Sequence, residues 1–169
     1  MTATPEDLYA RLDKLGITHQ THHHEPVFTV EEARAVSRTL AGGHSKNLFL
    51  KGKSGDLYLL VCLEQTKVDL KSLRKKIGAK NLSFGKADLL QEVLGVEPGS
   101  VTPFSLINDT ECRVSVLLDS AMMEEQFLNF HPLINDKTTQ VSSEDLKKFI
   151  GDCGHDITVL DPSAGEETG

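Results

Sequence analysis

Asn47-Leu48-Phe49-Leu50-Lys51-Gly52-Lys53-Ser54-Gly55-Asp56-Leu57-Tyr58-Leu59-Leu60-Val61-Cys62-Leu63 is the stretch that decides the fold class. Two apolar-rich runs, Asn47 to Lys53 and Asp56 to Leu63, flank Gly52-Lys53-Ser54-Gly55, the composition of a tight turn, so the segment predicts a β-hairpin. Helices surround it. On its N-terminal side, Thr29 with Glu32 has the form of a capping box opening a short helix that carries Ala33 and Val36 toward Leu40. Earlier still, Thr4-Pro5-Glu6-Asp7 reads as an N-cap with proline at the first helical position, and Leu8, Leu12 and Leu15 share a face until Gly16. On the C-terminal side, Asp69 caps a helix with Leu70, Leu73 and Ile77 on one face and Gly78 at its end. A short strand over Asn81 to Phe84 precedes a helix from Lys86 to Leu94, closed by Gly95. Val101 to Ile107 and Arg113 to Leu118 read as a second strand pair turning at Asn108-Asp109. Ser142 or Ser143 caps a last helix to Ile150, and Ile157 to Leu160 closes with a strand. Helices and hairpins in mixed order, without strict β-α-β alternation, predict an α+β domain: a mixed, mostly antiparallel sheet with helices packed on it.

The chain's 169 residues fit one domain over residues 1–162, with a small, acidic tail, 163–169, expected to fray. A hydrophobic share of 38% against 25% charged residues can bury a core, which excludes wholesale disorder. No apolar run approaches the roughly 18 to 20 residues that span a bilayer, and Met1 to Asp7 lacks a basic-then-apolar leader, so a cytosolic protein without a membrane role is expected. Cys62, Cys112 and Cys153 are odd in number and far apart, as reduced structural thiols are. The net charge is −7, which argues against a general nucleic-acid binder, DNA included, because phosphate attraction needs a basic surface. The charge is unevenly distributed: ten Lys or Arg against three acids lie between His44 and Lys86, a local charge of +7. A basic segment in an acidic chain suits contact with a few phosphates; a solvated helix face at Lys71, Arg74, Lys75 and Lys76 would give the same pattern.

Common catalytic signatures are absent. There is no phosphate-binding Gly-x-x-x-x-Gly-Lys-Ser/Thr loop, no Gly-x-Ser-x-Gly elbow and no His-Glu-x-x-His helix. His22-His23-His24 brings three imidazoles together in sequence, but neighbours on a strand point to opposite faces, so they do not converge on one ion and no metal is expected.

Four stretches carry a resemblance: His24-Glu25-Pro26-Val27-Phe28-Thr29, Ser45-Lys46-Asn47-Leu48-Phe49-Leu50, Gly95-Val96-Glu97-Pro98-Gly99-Ser100-Val101-Thr102-Pro103-Phe104, and Phe130-His131-Pro132-Leu133-Ile134-Asn135. Together, in this order and from about Glu6 to Asp161, they resemble the YbaK and prolyl-tRNA-synthetase-associated domain family. Ser-Lys-Asn-Leu-Phe-Leu is more like the free-standing branch that removes alanine from proline tRNA than the branches that remove cysteine, which tend to carry Lys-Thr. The resemblance implies hydrolysis of the ester joining an amino acid to the terminal adenosine of tRNA, with neither cofactor nor covalent intermediate. It implies that Lys46 holds the substrate, that main-chain groups of the Gly99 to Pro103 loop steer the carbonyl, that His131 shapes the pocket, and that the terminal ribose hydroxyl helps activate water. The implied partner is the alanine-bearing acceptor end of proline tRNA, with prolyl-tRNA synthetase or an elongation factor as further candidates.

Residue chemistry agrees with those roles without requiring them. Lys46 is a three-donor cation on a flexible stem, suited to a phosphate or an aminoacyl end and equally to plain solvent. Asn47 offers both donor and acceptor, or a strand-end cap. Gly99 lets the backbone approach a ligand between stiffening Pro98 and Pro103, and free N–H groups there can hold charge on an ester oxygen; Ser100, Val101 and Thr102 complete that candidate binding loop, which alone would also read as a connector. Ser45, Phe28 and Thr29 are further substrate-binding candidates. His131 can accept or donate near neutral pH or sit satisfied in the core, while Asn135 and Thr138 read as braces. Val27, Phe28, Leu48 and Phe104 are the expected apolar walls. Deacylation of another small aminoacyl group (cysteine, serine or threonine) and a non-catalytic tRNA-end or synthetase-binding module remain the alternatives.

Overall fold

The computed structural model describes residues 2–24 and 42–163. Its first element is fixed by Thr4, whose hydroxyl accepts from Asp7 N–H while the Asp7 carboxylate accepts from Thr4 N–H. This reciprocal cap satisfies two donors that a helix start leaves open, and helix α1 (Pro5–Lys14) follows, burying Leu8 and Leu12. Strand β1 (Gln20–His23) comes next. The hairpin then forms the centre of the sheet: β2 (Gly43–Gly52) and β3 (Leu57–Leu63) pair antiparallel from Ser45 opposite Leu63 to Lys51 opposite Leu57. Its turn closes through Gly52 N–H to Asp56 O at 2.8 Å and needs glycine at position 55, where φ is +92°.

Asp69 accepts from Lys71 and Ser72 N–H and starts helix α2 (Leu70–Ile77), which ends at Gly78 in the left-handed conformation. Edge strand β4 (Leu82–Phe84) pairs with β2, and helix α3 (Ala87–Leu94) ends at left-handed Gly95. Strands β5 (Val114–Asp119), β6 (Phe127–Phe130) and β7 (Lys137–Ser142), helix α4 (Ser143–Asp152), capped by Ser142, and strand β8 (Ile157–Leu160) complete the domain. The sheet order is β1-β7-β6-β2-β3-β5-β8 with β4 attached to β2. β2–β6, β3–β5 and β5–β8 are parallel and the other pairings antiparallel, the mixed α+β sheet expected from the order of elements. No helix among the described residues is long and apolar enough to cross a membrane.

The sheet has an apolar cluster on each face. Phe49, Leu59, Val61 and Leu63 join α1, α3 and α4 in the larger one; Leu50, Leu60 and Cys62 join Leu73 of α2 in the smaller. Alternation along β2 and β3 places neighbours in opposite clusters, and each fully buried leucine contributes roughly 1.5–3 kcal/mol. Gly85 lets the chain cross Phe49: a Cβ there would sit 2.3 Å from the ring's Cδ2.

One expected strand is absent. Val101 to Ile107 forms no strand; a one-turn 3-10 segment, Pro98–Ser100, and a two-turn one, Pro103–Asn108, flank extended Val101 and Thr102. Proline opens each segment, where it lacks a ladder donor, and Thr102 caps the second by accepting from Phe104 N–H, so local hydrogen bonds replace a strand pairing. β5 forms but pairs in parallel with β3 instead of in a hairpin. β6 and β7 carry no strong periodic signal: four residues in one, Lys-Thr-Thr-Gln-Val-Ser in the other. The helix expected from Thr29 to Leu40 lies outside the described residues, as does the tail beyond Ser163, whose own backbone bridges to Val68.

Candidate functional site

Sheet pairing brings two of the singled-out stretches side by side. Gly43 and His44 of β2 lie opposite Leu128 and Asn129 of β6, Asn129 Nδ2 donates to Gly43 O at 3.1 Å, and Ser45 Oγ donates to Asn129 O at 3.2 Å. β6 then runs directly into His131, so Ser45-Lys46-Asn47 flanks the His131 loop. Successive strand residues face opposite ways, which separates Lys46 from Asn47. Lys46 is half-buried on the smaller cluster's side and its Nζ donates to Thr66 O. Asn47 shares the larger cluster's side with Phe49, and its Oδ1 is buried without a hydrogen-bond partner. An acceptor in that condition costs about 1–3 kcal/mol unless a ligand or water supplies a donor.

His131 is oriented by its own loop. Its Nδ1 lies 3.1 Å from Lys137 O, which can only accept, so Nδ1 carries the proton and Nε2 presents a lone pair. Burial holds its pKa below the ordinary histidine value; the Lys137 contact opposes that shift, and the His24 ring, 6.3 Å away, adds to it. His24 is positioned by its N–H to Asp136 O at 2.9 Å and by its Nε2 against Thr138 Oγ1 at 2.8 Å. The loop itself turns sharply at buried Leu133, where φ is +74°.

The Gly99 turn faces that loop. Ser100 N–H is engaged by Glu97 O at 2.8 Å and Pro98 has no N–H, so Gly99 N–H is the first-turn donor with no carbonyl of the turn within its reach. A cleft of about 540 Å³ is lined by Glu97, Pro98, Gly99, Ser100 and Asn135. An adjoining cavity of about 300 Å³ extends it to Val96, Leu133 and Ile134. Gly99 and Ser100 are therefore brought together with the loop that carries His131. Val101 is half-buried behind them, and Thr102 and Pro103 are buried supports, with the Thr102 hydroxyl committed to Phe104 N–H. Lys46, Asn47 and His131 do not line these two clefts.

Other expectations shift in detail. Phe104 is not a pocket wall but a fully buried core ring, edge-to-face with Phe130 at 5.7 Å and Phe149 at 5.5 Å. Leu48 packs against the smaller cluster. Val27, Phe28 and Thr29 lie outside the described residues. Asn135, read as a brace, lines the cleft, and Glu97 is an acid at its rim that the sequence reading passed over. The sequence signal for both was position alone: each sits inside a motif, one residue from a glycine-proline turn or at the end of the histidine loop. His22 and His23 alternate along β1 opposite Thr138 and Lys137, and His24 continues into the Thr138 contact.

Comparison with known proteins gives a consistent family. A family model described as an aminoacyl-tRNA editing domain matches residues 24–149. The prolyl-tRNA editing protein ProX of Acetoanaerobium sticklandii is 35% identical over 153 residues, covering 90% of this chain and 93% of its own. The prolyl-tRNA synthetase associated domain-containing protein 1 of Mus musculus is 38% identical over 159 residues, covering 91% and 94%. A solved structure assigned as a candidate trans-editing enzyme for prolyl tRNA synthetase superposes with a TM-score of 0.75 over 98% of this chain and 99% of that one; at 17% identity this likeness speaks for the fold alone.

Proposed function

Because the chain belongs to the aminoacyl-tRNA editing domain family, we propose that it is a trans-editing deacylase that hydrolyses alanine from mischarged proline tRNA. Water adds to the alanyl ester carbonyl, the bond to the ribose oxygen of the terminal adenosine breaks, and free alanine and tRNA leave. The observation that carries this reading is the cleft lined by Gly99, Ser100 and Asn135, where the glycine turn meets the far end of the loop that begins at His131. A backbone donor aimed at an ester oxygen stabilises the charge that develops there, an effect worth roughly 3 to 4 kcal/mol per donor. Asn47 lies outside that cleft, on β2 beside the His131 loop, and its buried, unpartnered Oδ1 is an acceptor that the α-ammonium group would satisfy by reaching past the cleft. His131, with its proton on Nδ1 and its lone pair on Nε2, anchors the loop whose Leu133, Ile134 and Asn135 line the clefts. Lys46 takes a phosphate by exchanging its contact with Thr66 O, a change its four-carbon stem allows.

The need for such an enzyme is one of size. A pocket made for proline cannot firmly reject smaller alanine, since a methylene or so is worth only ~1 to 3 kcal/mol of discrimination. A second, smaller sieve removes the wrong product. Proline tRNA, and with it the prolyl-tRNA synthetase that charges it or an elongation factor that carries it, are the partners this role calls for in the cytosol. Purified protein incubated with alanyl- and prolyl-tRNA for proline is expected to release alanine and spare proline. Release of proline with alanine untouched would overturn the specificity, and tRNA binding without any hydrolysis would make the protein a binding module.

A further inference from the structure

We propose that Phe84, Lys51 and Lys86 form a second nucleic-acid contact, a stacking platform for one of the unpaired nucleotides that precede the terminal adenosine. The inference rests on the editing role above and adds where the rest of the acceptor end goes. It starts from an anomaly in β4. Leu82 and Phe84 share a face of that strand, yet Leu82 is buried in the smaller cluster while Phe84 is 61% exposed. A phenylalanine left in water forgoes the gain that burial would give it. Beside it lies a cavity of about 390 Å³, lined by Lys51, Ser83, Phe84, Lys86 and Leu89 with Asp88 and Glu92 at its α3 side. Glu92 is neutralised by Arg113 at 2.8 Å, so the two lysines face a single unpaired carboxylate, Asp88.

An exposed aromatic ring that lines one cavity with two lysines suits single-stranded nucleic acid: the ring stacks on a base and the cations take the flanking phosphates. The site ends the segment from His44 to Lys86 that carries +7 in a chain of −7. Lys46 and Lys51 lie on one strand about 17 Å apart, at the rise of roughly 3.4 Å per residue, and their odd spacing turns them to opposite faces, so an acceptor end that reaches both passes around the β4 edge of the sheet. A protein partner would need a contiguous surface near 800 Å² per side, far more than one exposed ring and two lysines offer.

The test compares wild-type protein with Phe84→Ala, Phe84→Trp and Lys51→Ala/Lys86→Ala on two substrates, alanyl-tRNA for proline and the minimal ester alanyl-adenosine. For the tRNA, Phe84→Ala should raise KM on the order of tenfold with kcat unchanged, Phe84→Trp should stay near wild type, and the double lysine variant should flatten the salt dependence of binding by about one power of salt per lysine. Hydrolysis of the minimal ester should not change. An unaltered KM and salt slope in the variants while wild type edits tRNA would overturn the platform, as would an equal loss on both substrates. Should wild type hydrolyse neither substrate, the editing role fails by itself. Affinity for uncharged proline tRNA then decides the platform: a drop in the Phe84→Ala and lysine variants supports it, and equal affinity, or synthetase capture lost in their place, removes it.

Discussion

Replacing Asp109 by alanine tests the packing that carries the Gly99 turn, because Asp109 ends the 3-10 segment that begins at Pro103. Its carboxylate is 3% exposed and serves three donors: Oδ1 accepts from Arg113 N–H at 3.0 Å, and Oδ2 accepts from Val114 N–H at 2.9 Å and lies 2.9 Å from His155 Nε2. Truncation leaves the buried Val114 N–H without an acceptor, at about 1–3 kcal/mol, whereas the half-exposed end of the turn at Arg113 can turn to water. His155 fares worse. It is 5% exposed and its Nδ1 already has no partner, so both ring nitrogens would be buried and unpaired. The sum is about 3–5 kcal/mol, the range for breaking one side of a buried pair. At a slope near 2 kcal/mol per molar urea, the unfolding midpoint should fall by about 2 M. Asp109→Asn keeps an acceptor and the shape and should lose about half as much. Equilibrium unfolding in urea, with His155→Ala and the double variant completing a cycle, reads both the loss and the coupling. A loss below about 1 kcal/mol for Asp109→Ala, or no coupling with His155, would mean that the buried carboxylate does not hold these donors.

Lys46→Ala should lower turnover of alanyl-tRNA at least about a hundredfold, as loss of a positioning contact does, and leave the thermal midpoint within a few degrees; undiminished turnover removes Lys46 from the mechanism. Gly85→Ala places a methyl group 2.3 Å from the buried Phe49 ring and should destabilise by ~1–3 kcal/mol, read as a lowered thermal midpoint; an unchanged midpoint contradicts the close crossing. Because burial lowers the His131 pKa, the folded protein holds that ring neutral where the unfolded chain has begun to bind a proton. His131 therefore contributes stability that is complete above about pH 6.5 and is lost as pH falls through its lower folded value. Editing should fall through the same window, and His131→Asn should flatten that acid limb; an acid limb unchanged in the variant would assign it to another group.

Local rules made most of the frame legible. The Thr4 and Asp69 caps, the left-handed glycines at 78 and 95, and the Gly52–Gly55 turn each answer to neighbours within a few residues, and each element they delimit forms. Val101 to Ile107 misled because its apolar residues suit a strand while its prolines and Thr102 decide for turns. β6 and β7 stayed hidden because their pairing is long-range: β6 exists beside Gly43 and His44, more than eighty residues away in sequence. The site divided along the same line. Motif order singled out Gly99, Ser100 and His131 together, but the strand parity that turns Lys46 and Asn47 apart, and the proton on His131 Nδ1, come only from the fold.

The editing role stands most directly on a comparison of kcat/KM for proline tRNA carrying alanine, proline, cysteine, serine or threonine. Alanine should be removed at least about a hundredfold faster than proline, because a second sieve cut for a methyl group has no room for the pyrrolidine ring. Hydrolysis of prolyl-tRNA at a rate equal to or above that of alanyl-tRNA would contradict it.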